Sequence, residues 1–130
     1  MNNKRINDPE NPWNGFEVIS TYTDQQAIDD GVLVAIGKEN RVTRAVWNML
    51  ILRAEHTLDA SLAPDAFKQR CDAYALHLSD GLVQAHGKEA RRVYEQNIGG
   101  GIFSLIQFGH KLWIIPNEQG GLTLMFPEDY

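Results

Sequence analysis

The sequence predicts an α+β domain: two or three helices packed on one face of a four- to five-stranded, mainly antiparallel sheet. Three observations carry that expectation. Apolar residues recur at spacings of three and four through the middle of the chain. Three runs rich in β-branched and aromatic residues follow one another at short gaps near the C-terminus, as in an antiparallel meander. Two shorter runs of the same kind precede the helical middle and can join that sheet.

Residues 1–12 are polar and carry Pro9 and Pro12. They read as a loose arm that docks through Trp13, leaving residues 13–130 as a single domain. Residues 16–21 (F-E-V-I-S-T) read as a strand. Thr23 or Asp24 can cap a short helix over 24–30, because a side-chain oxygen accepts an orphan amide at a helix start. Gly31 closes that helix in the left-handed conformation open to glycine. Residues 32–36 (V-L-V-A-I) form a buried strand, and 37–40 a turn. Residues 41–56 are the most hydrophobic helix candidate. Val42, Ala45, Val46, Met49 and Leu50 share a face, widened by Trp47, Ile51 and Ala54.

Pro64 suits the first turn of a second helix, where its missing amide costs nothing. Phe67, Cys71, Tyr74, Leu78, Leu82 and Ala85 give that helix a narrow apolar stripe. Gly87 is expected to end or kink it, and 88–96 to form a short third helix. Gly99, Gly100 and Gly101 read as a hinge into the strands 102–108, 111–115 and 122–126.

Composition bounds the function. The 130 residues are 43% hydrophobic and 22% charged, as in one ordinary globular domain. Twelve Lys and Arg against seventeen Asp and Glu leave a net charge of -5. A surface built for duplex nucleic acid is normally basic, so nucleic acid is not the expected partner. The single cysteine, Cys71, allows no internal disulfide, and its helical setting reads as buried packing. No apolar run approaches the roughly 18 residues of a membrane span. The opening residues lack the apolar core of a secretory signal. The expected location is cytoplasmic.

Three blocks carry a resemblance. They are Ile19-Ser20-Thr21-Tyr22-Thr23-Asp24-Gln25-Gln26-Ala27-Ile28-Asp29-Asp30-Gly31-Val32-Leu33-Val34, then Val42-Thr43-Arg44-Ala45-Val46-Trp47, then the ending Leu122-Thr123-Leu124-Met125-Phe126-Pro127-Glu128-Asp129-Tyr130. In this order they resemble a family of short bacterial, plasmid and phage proteins of unknown function. Its pattern is I-x-x-Y-T-x-x-x-A-I-x-D-G-V-L-V, T-R-A-V-W and an acidic P-E-D end. The resemblance implies a mobile-element setting and brings no activity, cofactor or catalytic residue with it.

Two clusters are candidate binding residues. Tyr22, Thr23 and Asp30 flank the first short helix, which suits a pocket rim with a phenol, a helix start and a carboxylate. The plainer account is a capped connection with Asp30 in solvent. Thr43, Arg44 and Trp47 lie on the hydrophobic helix, where an aromatic plane beside a guanidinium suits a nucleotide or an acidic partner. The plainer account makes Trp47 core and pairs Arg44 with Asp29, Asp30 or the C-terminal acids.

His56, His77, His86 and His110 show no metal-ligand spacing. No nucleophile elbow or paired-carboxylate arrangement is legible. The triglycine follows a helix and precedes a strand, the reverse of a phosphate loop. Lys38, Arg41 and Arg44, like Lys88, Arg91 and Arg92, read as solvated helix ends.

The expected function is that of a small non-enzymatic accessory protein that acts by protein–protein contact, with no cofactor and no metal. An exposed aromatic patch including Trp13, Tyr130 or Phe108 would favour it. The alternative is a binder or transferase for a nucleotide-like small molecule, with a cleft around Tyr22 and Arg44. A homodimer through an edge strand within 102–126 is compatible with either.

Overall fold

The computed structural model of the protein describes residues 22–130. The arm at 1–12, Trp13 and the strand expected at 16–21 lie outside the described residues. Two compact units divide the chain, one ending at Asp30 and the other running over Gly31–Tyr130.

The described part of the first unit is helix α1 (Asp24–Asp29). Thr23 is its N-cap, and the cap is reciprocal. The Thr23 hydroxyl accepts from the Gln26 amide at 3.0 Å, and Gln26 Oε1 accepts from the Thr23 amide at 2.8 Å. Two orphan donors are thereby satisfied by one pair of side chains. Gly31 follows with φ +78, the closing conformation its sequence position predicts.

The second unit is the α+β body. Strand β1 (Leu33–Ile36) turns at Gly37 into β2 (Asn40–Thr43), and α2 (Arg44–Thr57) follows at once. Helix α3 (Pro64–Glu95) is 32 residues long. A 3-10 turn (Ile98–Gly100) leads to β3 (Phe103–Gln107), β4 (His110–Pro116) and β5 (Leu122–Met125). The sheet order is β1-β2-β5-β4-β3. All neighbours are antiparallel except β2 and β5, which run parallel.

The register places one apolar row across all five strands: Val34, Val42, Leu124, Ile114 and Phe103. Side chains alternate along a strand, so this row lies on one face together with Ile36, Leu122, Leu112 and Leu105. Helices α2 and α3 cover that face. Val46 and Leu50 from α2, and Ala75, Val83 and Ala90 from α3, complete one buried core with it. At roughly 25 cal/mol per Å² of apolar surface removed from water, this core is the main source of stability.

The structure corrects three expectations. Residues 41–43 are strand, not the start of the helix, so Val42 sits in the sheet core and Thr43 takes the N-cap position of α2 without a side-chain cap bond. Spacing alone fits both periods there. Pairing with β1 on one side and β5 on the other decides for strand. Secondly, no third helix starts at Lys88, because α3 runs unbroken through Gly81 and Gly87. Gly87 is a close approach rather than a break: a Cβ there would lie 2.7 Å from Leu122 Cδ1. Thirdly, the buried stripe of α3 is Cys71, Ala75, Ser79, Val83, Gly87, Ala90 and Val93. Small side chains at four-residue steps let the helix seat closely. Tyr74, Leu78 and Leu82 flank it half-buried, and Ala85 is exposed. The buried Ser79 hydroxyl donates to the Ala75 carbonyl at 2.8 Å, so it leaves no unmet donor.

Two turns fix the sheet margins. Phe108 and Gly109 (φ +52 and +79) make the two-residue loop between β3 and β4, both left-handed as the right-handed twist of a hairpin requires. The loop before β5 is built on Asn117. Its amide group donates to the Glu39 carbonyl at 2.9 Å and to Thr123 Oγ1 at 3.2 Å, and its Oδ1 accepts from the Gln119 and Gly121 amides.

Candidate interaction surface

The sequence-predicted residues fall in both units. In the first, the Tyr22 hydroxyl donates to Asp30 Oδ2 at 2.8 Å, and Tyr22 is 56% exposed. That hydrogen bond, slight burial and the neighbouring carboxylate all favour the neutral phenol and raise its pKa above the ordinary 10.0. Thr23 is engaged in the helix cap.

In the second unit, Thr43 and Arg44 stand at the junction of β2 and α2. Thr43 is buried, and its hydroxyl donates to Asp129 Oδ2 at 2.7 Å. Arg44 is exposed; its Nε donates to the Gly31 carbonyl at 2.9 Å, and it makes no ion pair among the described residues. Its backbone amide donates to the Val32 carbonyl at 2.9 Å. Trp47 is half-buried and packs against the core, as the plainer account expects. Cys71 is buried. Desolvation, with Glu55 and Asp72 adding repulsion, pushes its thiol pKa up, away from nucleophilic character.

The sheet face away from α2 and α3 carries a feature the sequence did not single out. Along this face Ser104 pairs with Trp113 and Trp113 with Met125, while Ile106 pairs with Lys111. The Trp113 ring meets the Tyr130 ring edge-on at 5.6 Å. Tyr130 is 78% exposed and Ile106 65%. The C-terminal turn (Pro127–Asp129) holds Tyr130 there. Asp129 Oδ2 accepts from the Phe126 amide at 3.0 Å and from Thr43. Thr43, predicted as a contact residue, thus positions the turn that presents Tyr130.

Of the aromatics expected to form an exposed patch, Tyr130 belongs to this one. Phe108 does not: it packs against the core, with the Arg53 guanidinium 4.4 Å above its ring. Trp13 lies outside the described residues. Trp113 and Ile106 were legible only as strand residues. Their exposure depends on which face the helices take.

The basic residues near the end of α3 are largely spoken for. Lys88, Glu89, Arg91, Arg92 and Glu95 line an open depression of about 410 Å³. Arg92 forms a two-pronged pair with Glu89 (3.0 and 2.6 Å), and Arg91 donates to the Gly120 carbonyl at 2.8 Å. Among the described residues no group of three or more His, Cys, Asp or Glu side chains is gathered to hold a metal ion. Nor is any described helix long and apolar enough to cross a membrane. Comparison with protein-family models, with curated proteins and with solved structures found no significant match.

Proposed function

We propose that the protein is a small non-enzymatic accessory protein that binds another protein through the β3–β4 side of the sheet face away from α2 and α3. One observation carries the reading: Ile106, Trp113, Met125 and Tyr130 lie together on the face the helices leave uncovered, with Ile106 and Tyr130 mostly in solvent. Large aromatic and aliphatic side chains held by a fixed scaffold are the usual anchors of protein interfaces. The resemblance of three sequence blocks to short bacterial, plasmid and phage proteins is in keeping with an accessory role in a mobile element.

The test is affinity capture with the wild type and two double variants. Trp113→Ala with Tyr130→Ala removes the face. Arg44→Ala with Trp47→Ala removes the surface first expected from sequence. Loss of a partner with the first pair alone supports the reading. A folded Trp113/Tyr130 variant that keeps every partner sinks it.

A further inference from the structure

Strand β3 is the terminal strand of the sheet among the described residues. Sheet margins normally carry a device against pairing with another chain, such as a lysine, a proline or a bulge. β3 has none: it reads Phe103-Ser104-Leu105-Ile106-Gln107, unbroken and uncharged. In a chain of net charge -5, it is a segment where two copies can meet without like charges facing each other.

The register says which backbone groups face outward. Gln107 and His110 close the two-residue loop, so they exchange hydrogen bonds directly. Bonded and non-bonded pairs alternate along an antiparallel ladder. Leu105 and Phe103 therefore also bond to β4, while Ser104 and Ile106 direct their amides and carbonyls to the open margin.

We infer that β3 pairs with β3 of a second copy, antiparallel, about a two-fold axis through Leu105. The inference rests on the binding reading above and names one partner for that region. In this register Ser104 of each copy faces Ile106 of the other. Both residues are outward-bonding, so the joint contains four backbone hydrogen bonds. The side chains fit the same register. Ile106, 65% exposed in one chain, comes to lie over the small Ser104 of the second, beside that copy's Trp113. The two sheets become one of ten described strands. Five residues a side is well short of the roughly 20–30 of a standard interface, so the dimer forms with rising concentration and dissociates on dilution.

Sedimentation over a concentration series tests this, with hydrogen exchange at Ser104 and Ile106. The wild type should rise toward twice the monomer mass, and these two amides should slow as it does. Ser104→Pro removes an outward amide without touching the β3–β4 ladder. Ile106→Lys adds a charge at an exposed position. Both should remain monomers with an unchanged circular dichroism spectrum. A monomeric wild type, or variants that dimerise like it, overturns the inference. So does protection of the two amides that is independent of concentration, because the margin is then filled within one chain. Failure here is separable from failure of the binding reading, since Ser104→Pro leaves Trp113 and Tyr130 in place to capture a different protein.

Discussion

Thr43 Oγ1 stands 2.7 Å from Asp129 Oδ2, a hydrogen bond between residues 86 positions apart. It ties the end of β2 to the turn that presents Tyr130. The same hydroxyl is withheld from capping α2, which has no side-chain cap. Thr43→Val keeps the shape and removes the donor. The expected cost is about 1 kcal/mol, because the bond is charge-assisted but Asp129 is exposed. Urea unfolding measures it. Trp113 fluorescence should also change, since Tyr130 loses its anchor. An unchanged emission spectrum would show that the turn is held without Thr43.

Two glycines in one helix should respond oppositely to alanine. At Gly81 a Cβ meets nothing within 4 Å, so Gly81→Ala should stabilise by up to about 1 kcal/mol through helix propensity. At Gly87 the same gain is opposed by Leu122, which is 3% exposed and has little room to turn aside. Overpacking costs about 1–3 kcal/mol, so Gly87→Ala should destabilise. Adding Leu122→Val to Gly87→Ala should recover part of that loss. A double-mutant cycle by thermal melting reads the coupling.

Tyr22 should ionise above 10.0, the ordinary value, because its proton is shared with Asp30. Ultraviolet titration at high pH detects the phenolate, and Asp30→Asn should move the transition back toward the ordinary value. The sign for stability follows from the raised folded value. The Tyr22–Asp30 contribution is complete below the unfolded pKa and disappears as pH rises through the folded one. A Tyr22 transition identical with and without Asp30 would show that the pair does not form in solution.

Asn117 holds its loop with four hydrogen bonds. Asn117→Ala should cost about 2 kcal/mol, the effect of orphaning several half-buried groups. Gly121→Ala should be worse, because a Cβ there overlaps the Glu39 carbonyl, and backbone cannot turn away as a side-chain end can. Equilibrium unfolding in urea ranks the two. Gly121→Ala milder than Asn117→Ala would contradict the packing.

Most of the architecture is legible along the chain because local chemistry decides it. Thr23 and Gln26 make a cap box wherever they start a helix, and Gly31 closes one. The three C-terminal strands announce themselves by β-branched and aromatic runs. What local chemistry leaves open is settled by distant partners. Val42 fits a helical or an extended period, and Leu124 decides for the strand. Gly87 looks like a stop until Leu122 is set against it. The same holds for the candidate surface. Thr43, Arg44 and Trp47 stand out by residue type, yet one supports a turn, one binds a carbonyl and one fills the core. Trp113 looked like an ordinary strand residue because sequence does not say which sheet face the helices choose.

The parallel seam between β2 and β5 has a consequence for biosynthesis. Near it, the Leu122 amide donates to Asn40 Oδ1 across 82 residues. Contacts of such long sequence separation are slow to form. On the ribosome the β1–β2 hairpin emerges early and has only one flank satisfied until β5 follows it out of the exit tunnel. A nascent chain stalled before residue 122 therefore leaves the outward amides and carbonyls of β2 without their partner strand, a bare backbone edge that persists until the last strand arrives.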